Sequence, residues 1–518
     1  MRPFFGQTPT VGLRYSAAGV SDGYTLFTPE KNNKVFLVNN CGEKINEWEF
    51  SENPGLTCYL QEDGNIMRVG ADSIEVRDWN NNQLWSFSAA SLGINKHHDI
   101  EPMPNGNVLI VARIFFSYND IIQMGRDSSL AESMNKLDAI YEVEPVGAHG
   151  GNIVWEWHFT DHFVQEYDAL KPNYGVVEDH PELINMNFDN GIPTDYTHVN
   201  AVDYNAELDQ ILISARHLSE IYIIDHSTTT AEAASHNGGN SNKGGDILWR
   251  WGNTQIYGVG TGTDSKLGLQ HDAKWVEAGY LDEGKISVFD NLESGVGPSS
   301  AVHLIEPIFD GIDYTMSNGY FLPLDYDWSW NGDILGVTMN ESNKSGCHGL
   351  QNGNFIFCES GKGQITEVNK QGDVLWVYKN PIGSSVTQQY DNVLSADNKI
   401  FRGEKYPVDY AGFIGKDMTP LGIIEDLNPI SDTCSNELEI AEVYVNGLSI
   451  INPVIDGEII FVKYLEMDEL TIYDISGRIL FYEKPFNGNR IQITSGSKMA
   501  FIVANKGKQR FTHKIIEN

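Results

Sequence analysis

Basic residues are scarce in this sequence. Lys and Arg together number 35, against 71 Asp and Glu, and the formal net charge at pH 7 is −36. A protein with this charge repels phosphate backbones, so nucleic acid is excluded as an expected partner. Long apolar runs are missing as well. Because no stretch of about 18 apolar residues occurs, the sequence predicts no transmembrane helix.

Cysteine is also rare. The five cysteines show no CxxC spacing and no paired histidine that would indicate zinc. Cys347 and Cys358 flank the hairpin-like sequence CHGLQNGNFIFC, which predicts a disulfide between them, and Cys41 with Cys58 is a second candidate pair. Five free thiols are the alternative.

The start of the chain lacks the pattern of a secretory signal. Residues 1–6 include Arg2, but no apolar run of about 7–15 residues follows. Either the protein stays inside the cell or a signal has been removed. The character of the C-terminal region leads us to expect removal.

The residues that are abundant indicate a β protein. The sequence contains 50 Gly, 11 Trp and 23 Tyr, which is typical of turn-rich, aromatic-rich sheets. A turn with Gly or Asn, followed by alternating apolar residues and a Trp or Tyr, recurs in GEKINEWEF, NNQLWSF, GNIVWEWHF, GDILWRWG and GDVLWVY. A second, hairpin-like element recurs in EDGNIMRV, PNGNVLIVA, GKISVFDN and QNGNFIFC.

These repeats divide the chain into about six four-stranded units, near residues 20–55, 56–95, 96–190, 191–260, 261–340 and 341–410. Such units closed in a ring form a β-propeller. The predicted fold is therefore all-β, with an N-terminal segment over 1–19 and a six-bladed β-propeller over 20–425. Seven or eight blades are the alternative. Long insertions are expected near 115–135 and 160–195.

The C-terminal region differs from the repeats. Residues 426–436 contain turn residues without a clear period and are predicted to be a linker. Residues 437–518 contain short strands separated by Gly, Asn and Asp, such as EIIFV and LTIYDISGRILFYE. This pattern predicts a separate small β-sandwich.

Three histidines stand at matching points of three successive predicted blades: His98, His198 and His271. Arg216 and His217 follow one strand after His198. Converging imidazoles either bind a transition metal or attack and stabilise a tetrahedral oxyanion. A fixed guanidinium opposes cation binding and suits sulfate or phosphate. The sequence therefore favours an anion site without a metal.

Several segments around these residues occur together in a specific order: HHDIEPMPNGNVLIVA, THVNAVDYN with SARHLSEIYIIDHSTTTAEAA, GGDILWRWGN, QHDAKW with VFDN, and HGLQNGNFIFCESGKGQITEV. This ordered set, within residues 20–425, resembles the arylsulfotransferase (aryl-sulfate sulfotransferase) family of bacterial β-propellers. The resemblance implies PAPS-independent transfer of a sulfuryl group from an aryl sulfate to a phenolic acceptor. It implies a ping-pong route through sulfohistidine and no cofactor.

The resemblance also implies roles for individual residues. His271 in QHDA corresponds to the nucleophile. The residues that correspond to sulfuryl-binding positions are His98, His198, Asn200 and Arg216. Asn291 in VFDN is a further candidate for the pocket, as is His217.

Residues 437–518 resemble the C-terminal sorting domain of type IX secretion substrates. The resemblance rests on NPV near the start, LTIYDISGRIL in the middle and AFIVANKGKQRFTHKII at the end. It implies export by a removed signal, passage across the outer membrane through the type IX machinery, and a secreted or cell-surface location.

Other function classes stay open at this point. One is a non-catalytic cell-surface propeller that binds glycans or proteins. Another is a hydrolase or lyase that acts on sulfated or phosphorylated substrates in the same anion pocket. A quinone-dependent dehydrogenase would need a calcium site and a tryptophan stacking platform, and the sequence offers neither.

Overall fold

The computed structural model describes residues 9–293, 299–393, 397–425, 441–445, 448–455, 458–474, 478–492, 499–506 and 509–516. The chain divides into two compact units, Met1–Asn428 and Pro429–Asn518. In the described part of the chain, no helix is long and apolar enough to cross a membrane.

The first unit is a six-bladed, all-β propeller, as predicted. Each blade is an antiparallel sheet of four strands, and blade 6 carries a fifth strand. The innermost strands contact one another in a closed ring, in the order Ile400–Pro407, Pro54–Leu60, Lys96–Pro102, Val199–Asn205, His271–Trp275 and Gly346–Gly349. These six strands therefore surround one central axis.

In the first three blades the strands follow the sequence from the axis outward, except that the innermost strand of blade 1 comes from the far end of the propeller sequence. From the innermost strand outward, blade 1 consists of Ile400–Pro407, Gly23–Pro29, Lys34–Asn39 and Lys44–Glu49. Blade 2 consists of Pro54–Leu60, Ile66–Gly70, Ser73–Arg77 and Gln83–Ser88. Blade 3 consists of Lys96–Pro102, Val108–Ser117, Met134–Val146 and Gly150–His158.

The other three blades follow the same order. Blade 4 consists of Val199–Asn205, Gln210–Ala215, Glu220–Asp225 and Ile247–Gly252. Blade 5 consists of His271–Trp275, Ile286–Asp290, Ala301–Ile305 and Trp328–Trp330. Blade 6 consists of Gly346–Gly349, Phe355–Glu359, Gln364–Val368 and Val374–Lys379, with Gly12–Ser16 added at its outer edge.

Short elements fill the connections. Two-stranded pairs are formed by Phe163–Val164 with Ile184–Asn185, Met316–Ser317 with Tyr320–Phe321, and Asp333–Ile334 with Val337–Thr338. The described α-helices are Tyr118–Gln123 and Thr230–Ala233. The described 3₁₀ turns are Ala89–Leu92, Phe159–His162, Val177–Asp179, Arg216–Leu218, Thr254–Tyr257, Gly262–Asp264, Ser360–Lys362 and Ala411–Phe413.

The ring is closed by strands from both ends of the propeller sequence. Ile400–Pro407 pairs with Gly23–Pro29, so the predicted unit 20–55 supplies only three strands of its blade. Gly12–Ser16 pairs with Val374–Lys379, which places part of the predicted N-terminal segment in blade 6. Both pairings tie residues that are far apart in the sequence.

The tryptophans of the repeated motif explain why the motif recurs. The fourth strand of each blade, counted from the axis, carries a Trp whose indole N–H donates to a backbone carbonyl of the next blade, at 2.7–3.0 Å. The six bonds run from Trp48 to Asp78, Trp85 to Gly150, Trp157 to Gly245, Trp249 to Leu322, Trp330 to Gly372, and Trp376 to Asn40. Buried apolar clusters fill the spaces between neighbouring blades. Each of these tryptophans therefore packs between two blades and also links them by a hydrogen bond.

The predicted disulfide between Cys347 and Cys358 is wrong, because both are buried free thiols. Cys347 lies opposite Phe357 and Cys358 lies opposite Gly346, so the two cysteines are not cross-strand partners. The Cys358 thiol donates to the carbonyl of Phe401, at 3.3 Å. Cys58 is a free thiol too, which rules out the second candidate pair with Cys41.

The second unit contains two four-stranded antiparallel sheets. One consists of Ala441–Val445, Leu448–Ile455, Glu458–Met467 and Phe486–Gln492. The other consists of Ile479–Glu483, Glu469–Asp474, Met499–Lys506 and Gln509–Ile516. The predicted linker, 426–436, lies outside the described residues, and the β-sandwich arrangement stays a prediction.

Candidate active site at the propeller axis

The innermost strands of three blades begin with an unusual backbone conformation. His98 has a φ of 55°, His198 of 48° and Asp272 of 56°, in the left-handed region that non-glycine residues rarely adopt. Next to each of them the strand pairing is interrupted by a bulge. His271 therefore stands one residue before the position that His98 and His198 share. Such conformations are concentrated at functional sites.

The structure brings the predicted histidines together at the axis. The rings of His98 and His198 are 4.8 Å apart between centroids, and the ring of His217 stacks on His198 at 4.2 Å. Arg216 lies close enough to His271 to lower the pKa of that imidazole. His98, His198 and His217 are half-buried, whereas His271 is buried.

Asp195 orients the half-buried pair. Its carboxylate accepts from His198 Nδ1 at 2.8 Å, and its backbone carbonyl accepts from His217 Nδ1 at 2.5 Å. Arg113 lies 3.6 Å from the same carboxylate. Burial would raise the pKa of Asp195, but His198 and Arg113 lower it to about 2. Asp195 is therefore ionised, and its carboxylate keeps a proton on His198 Nδ1.

A second carboxylate orients His98 through another histidine. Asp138 accepts from His97 Nε2 at 2.8 Å, and His97 Nδ1 lies 2.7 Å from His98 Nδ1. Burial alone would raise the pKa of Asp138, but His97 and hydrogen bonds from Thr197 and Val199 lower it. With a proton on His97 Nε2, the proton between the two rings belongs to His98 Nδ1. The Nε2 atom of a neutral His98 then carries a lone pair.

Asn291 fixes the tautomer of His271. The Asn291 amide nitrogen donates to the carbonyls of Glu341 and Lys344, both at 2.9 Å. Its oxygen must then face His271 Nδ1, 2.6 Å away, and accept that proton. His271 Nε2 carries the lone pair, and the backbone N–H of Lys344 donates to it at 3.2 Å.

Burial favours the neutral form of His271, His98 and His217. It is the largest cause that lowers the pKa of His271 well below its ordinary value, and Arg216 and Arg402 add to it. Burial also lowers the pKa of His98 well below its ordinary value, with further contributions from His97 and His198. Burial together with His198 lowers the pKa of His217 to about 4.

Arg216 is a cation of the site whose side chain has no described bonding partner. It opens the turn Arg216–Leu218, directly after the second strand of blade 4, and it is half-buried. Among the described residues, its guanidinium forms no hydrogen bond or ion pair, although the charge of Asp195 acts on it. A planar fork of donors without partners, beside neutral imidazoles, suits a tetrahedral oxyanion.

Arg402, also on an innermost strand, links five blades. From blade 1 it donates to Tyr59 of blade 2 at 2.8 Å and to Asp99 of blade 3 at 2.9 Å. It also donates to the backbone carbonyl of Asn200 in blade 4 at 3.0 Å, and its Nε lies 3.0 Å from Asp272 of blade 5. Burial alone would lower the pKa of Arg402, but the two carboxylates raise it well above its ordinary value.

Asn200 is placed differently from the other predicted residues. It is buried, and its amide donates to the backbone carbonyl of Gln270 at 2.7 Å. It therefore supports the residue that precedes His271, and no described contact brings it to the histidine rings.

Several residues of this site were not predicted from the sequence. Arg113, Asp138, Asp195 and Arg402 were not predicted, and His97 was not singled out. Arg113 lies on the second strand of blade 3 and Asp138 on the third, where alternation alone does not tell a site residue from an ordinary polar one. The only available signal was the pairing of His97 with His98 in one motif.

Three groups here have the spacing of a metal site. The ligand atoms of Asp195, His198 and His217 all lie within 4.8 Å of one another. Arg113 and Arg216 stand beside them and oppose a cation electrostatically. The arrangement therefore suits an anion.

Comparison with solved structures finds other propellers at low identity. One is a protein of unknown function from Bacteroides caccae, with 14% identity, 69% of this chain and 94% of that chain covered, and a TM-score of 0.36. A streptogramin B lyase has 12% identity, 77% and 94% coverage and a TM-score of 0.35. A virginiamycin B lyase from Staphylococcus aureus has 10% identity, 76% and 98% coverage and a TM-score of 0.33.

Comparison at the level of protein families gives a clear result. No curated protein matches the chain. The family model of the arylsulfotransferases (ASST) matches residues 22–301, more than half of the chain. This range contains His98, His198, Arg216, His271 and Asn291. The chain therefore belongs to the arylsulfotransferase family.

Proposed function

We propose that the protein transfers a sulfuryl group from an aryl sulfate to a phenolic acceptor through a sulfohistidine at His271. One observation carries this proposal. A neutral imidazole with its tautomer fixed by Asn291 stands near a guanidinium, Arg216, that has no described partner. A nucleophile and an anion-binding group are thus present at one site, and neither PAPS nor another cofactor is required.

In the first half-reaction, the His271 Nε2 lone pair forms a bond to sulfur. The bond between sulfur and the aryl oxygen breaks, and both of its electrons leave with the phenolate, which takes a proton from solvent. Arg216 stabilises the equatorial oxygens, and the proton on His271 Nδ1 stays hydrogen-bonded to Asn291. One such donor typically contributes about 3–4 kcal/mol to the transition state.

In the second half-reaction, a phenolic acceptor attacks the same sulfur. Its proton passes to an imidazole whose Nδ1 is hydrogen-bonded and whose Nε2 has no described partner, and His98 and His198 both meet this condition. The N–S bond breaks, and its electrons return to His271 Nε2. Asp138, acting through His97, and Asp195 then stabilise the imidazolium that forms.

Access to His271 requires a local movement. Its Nε2 atom accepts from the backbone N–H of Lys344, and its side chain is buried. Lys344 is also anchored by an ion pair with Glu30, at 2.5 Å. We propose that the donor displaces the Lys344 N–H from the lone pair when it binds.

Turnover of a chromogenic aryl sulfate with and without added phenol tests the function. We expect phenol-dependent release of the chromophore, and His271→Asn should lower it by about 10⁴-fold or more, as the loss of a nucleophile does. His149→Ala is the matched control, because His149 is exposed and lies on blade 3 away from the axis. Full turnover by His271→Asn would place the nucleophile elsewhere. A wild-type protein that releases no phenol from several aryl sulfates would favour a binding propeller.

We also propose that residues 437–518 direct export by the type IX machinery and that the protein acts outside the cell or on its surface. The order of NPV, LTIYDISGRIL and AFIVANKGKQRFTHKII supports this proposal. Deletion of 437–518 should then retain the protein in the periplasm of a host that has this machinery. Equal secretion of the full and truncated chains would contradict it.

A further inference from the structure

A second cluster of histidines and a carboxylate lies at the outer edge of blades 3 and 4. His162 ends the turn that follows the outermost strand of blade 3. His236 and Asp246 belong to the connection that precedes the outermost strand of blade 4. One carboxylate oxygen of Asp246 lies 2.9 Å from His162 Nδ1 and 2.8 Å from His236 Nδ1. The three ligand atoms lie within 4.8 Å of one another.

The hydrogen bonds of His162 show that a positive charge is needed between its Nδ1 atom and Asp246. His162 Nε2 lies 2.9 Å from the carbonyl of Ala233, which can only accept, so Nε2 carries a proton. The lone pair of a neutral His162 is then on Nδ1 and faces an oxygen of Asp246. Two lone pairs at this distance repel each other unless a proton or a metal ion binds between them.

The surroundings hold His162 in this orientation. The Trp157 ring stacks on the imidazole with centroids 5.1 Å apart and planes 5° from parallel. The Trp157 indole donates to the carbonyl of Gly245, at 2.7 Å. A Cβ at Gly245 would stand 2.0 Å from the Ala233 carbonyl oxygen and 2.8 Å from His162 Nε2. The position before Asp246 therefore requires glycine.

The charge around the cluster also suits a cation. No Lys or Arg forms an ion pair with Asp246 in the described part of the chain. The His162 side chain has no solvent exposure, whereas the His236 side chain is 60% exposed. The cluster therefore combines a rigid buried ligand with one that is open to solvent.

We propose that His162 Nδ1, His236 Nδ1 and the Asp246 carboxylate bind one divalent transition-metal ion, of which Zn²⁺ is the best fit. Two imidazoles and a carboxylate are ordinary ligands for zinc, and water takes the fourth position on the exposed side. The bond from His162 Nε2 to the Ala233 carbonyl is the outer contact that zinc-bound histidines commonly make. The ion ties the turn after blade 3 to the connection of blade 4, independently of the function proposed for the axis.

Zinc titration of the full, tag-free chain tests this site after chelator treatment. We expect one Zn²⁺ per chain by calorimetry, a higher melting temperature with zinc, and cobalt absorption bands typical of tetrahedral coordination. His236→Ala should weaken zinc binding by more than about 10-fold, the least that loss of an outer contact costs. Its exposed side chain makes it suitable for removal without unfolding the protein. Asp246→Asn should weaken binding as well.

His180→Ala is the matched control, because His180 is half-exposed and pairs with one carboxylate, Glu182, at 2.9 Å. It should bind zinc as the wild type does. A wild type that binds no zinc would overturn the proposal and leave protons as the bridge in the cluster. Loss of zinc binding in His198→Ala, but not in His236→Ala, would also overturn it, because the ion would then be bound at the axis.

Discussion

Two clusters in this propeller each combine two histidines with one aspartate, and their surroundings differ. Asp195, His198 and His217 stand at the axis beside Arg113 and Arg216, whose guanidinium has no partner among the described residues.

His162, His236 and Asp246 stand at the outer edge beside Trp157, and no described Lys or Arg pairs with the aspartate. The same ligand types therefore suit an anion at the axis and a cation at the edge. If the two proposals hold, the neighbouring guanidinium groups, and not the ligand types, determine the sign of the ion that each cluster binds.

The largest effect is expected on stability, when Arg402, which links five blades at the axis, is replaced. Arg402→Met leaves Asp99 and Asp272 buried without their cation, and the free energy of unfolding should fall by about 3–5 kcal/mol. Chemical denaturation measures this change. The control is Lys266→Met, which removes a half-exposed ion pair with Asp325 and should cost about 1 kcal/mol or less. Equal losses in both variants would show that Arg402 does not hold the axis together.

Removal of the Arg216 guanidinium should have the next largest effect, on the transfer rate. Arg216→Ala should lower sulfuryl transfer by about 10²–10³-fold, because a donor to the transition-state oxygens is lost. Arg216→Lys keeps the charge but not the planar fork, so its rate should lie between those of the wild type and the alanine variant. Steady-state kinetics with a chromogenic donor give both numbers. A wild-type rate for Arg216→Ala would show that Arg216 does not make the axial cluster an anion site.

The pH dependence of the transfer rate tests whether the arginines at the axis act on His271. Attack requires neutral His271, and burial with Arg216 and Arg402 lowers its pKa well below the ordinary value. As pH falls, the transfer rate should therefore stay constant past about 6.5, where an ordinary histidine is half-protonated, and decline only at lower pH. Arg216→Lys should keep this profile, and Arg216→Ala should move the decline to higher pH. Half-loss near pH 6.5 in the wild type would contradict the assignment.

The smallest predicted effect is one additional bound ion. The double variant Arg113→Met and Arg216→Met removes the positive charge from the axial cluster, which should then bind a second Zn²⁺. Calorimetric stoichiometry compares this variant with the wild type. An unchanged stoichiometry would mean that the arginines are not what excludes a cation from the axis.

The repeats predicted the propeller because each repeat has a structural role at every blade. The tryptophan in the motif packs in the blade and donates to the next one, as Trp48, Trp157 and Trp376 do. The closure of the ring was not predicted. Ile400–Pro407 and Gly12–Ser16 pair with strands far away in the sequence, and periodicity carries no information about such partners.

The site was predicted in part for a similar reason. His98, His198 and Arg216 are unusual residues at the ends of strands, so their types and spacing were informative. Arg402 and Asp195 depend on which strands and loops meet at the axis, which only the fold determines. The zinc cluster was missed because His162 and His236 lie in two connections that the blade packing brings together.

In the proposed mechanism, His271 carries the sulfuryl group between donor and acceptor. The most direct measurement is peptide mass analysis of protein mixed with a chromogenic aryl sulfate and quenched before acceptor is added. We predict one added sulfuryl group on the peptide that contains His271, and its loss when a phenol follows. Chromophore release without any modified peptide, or modification of another residue, would contradict the mechanism.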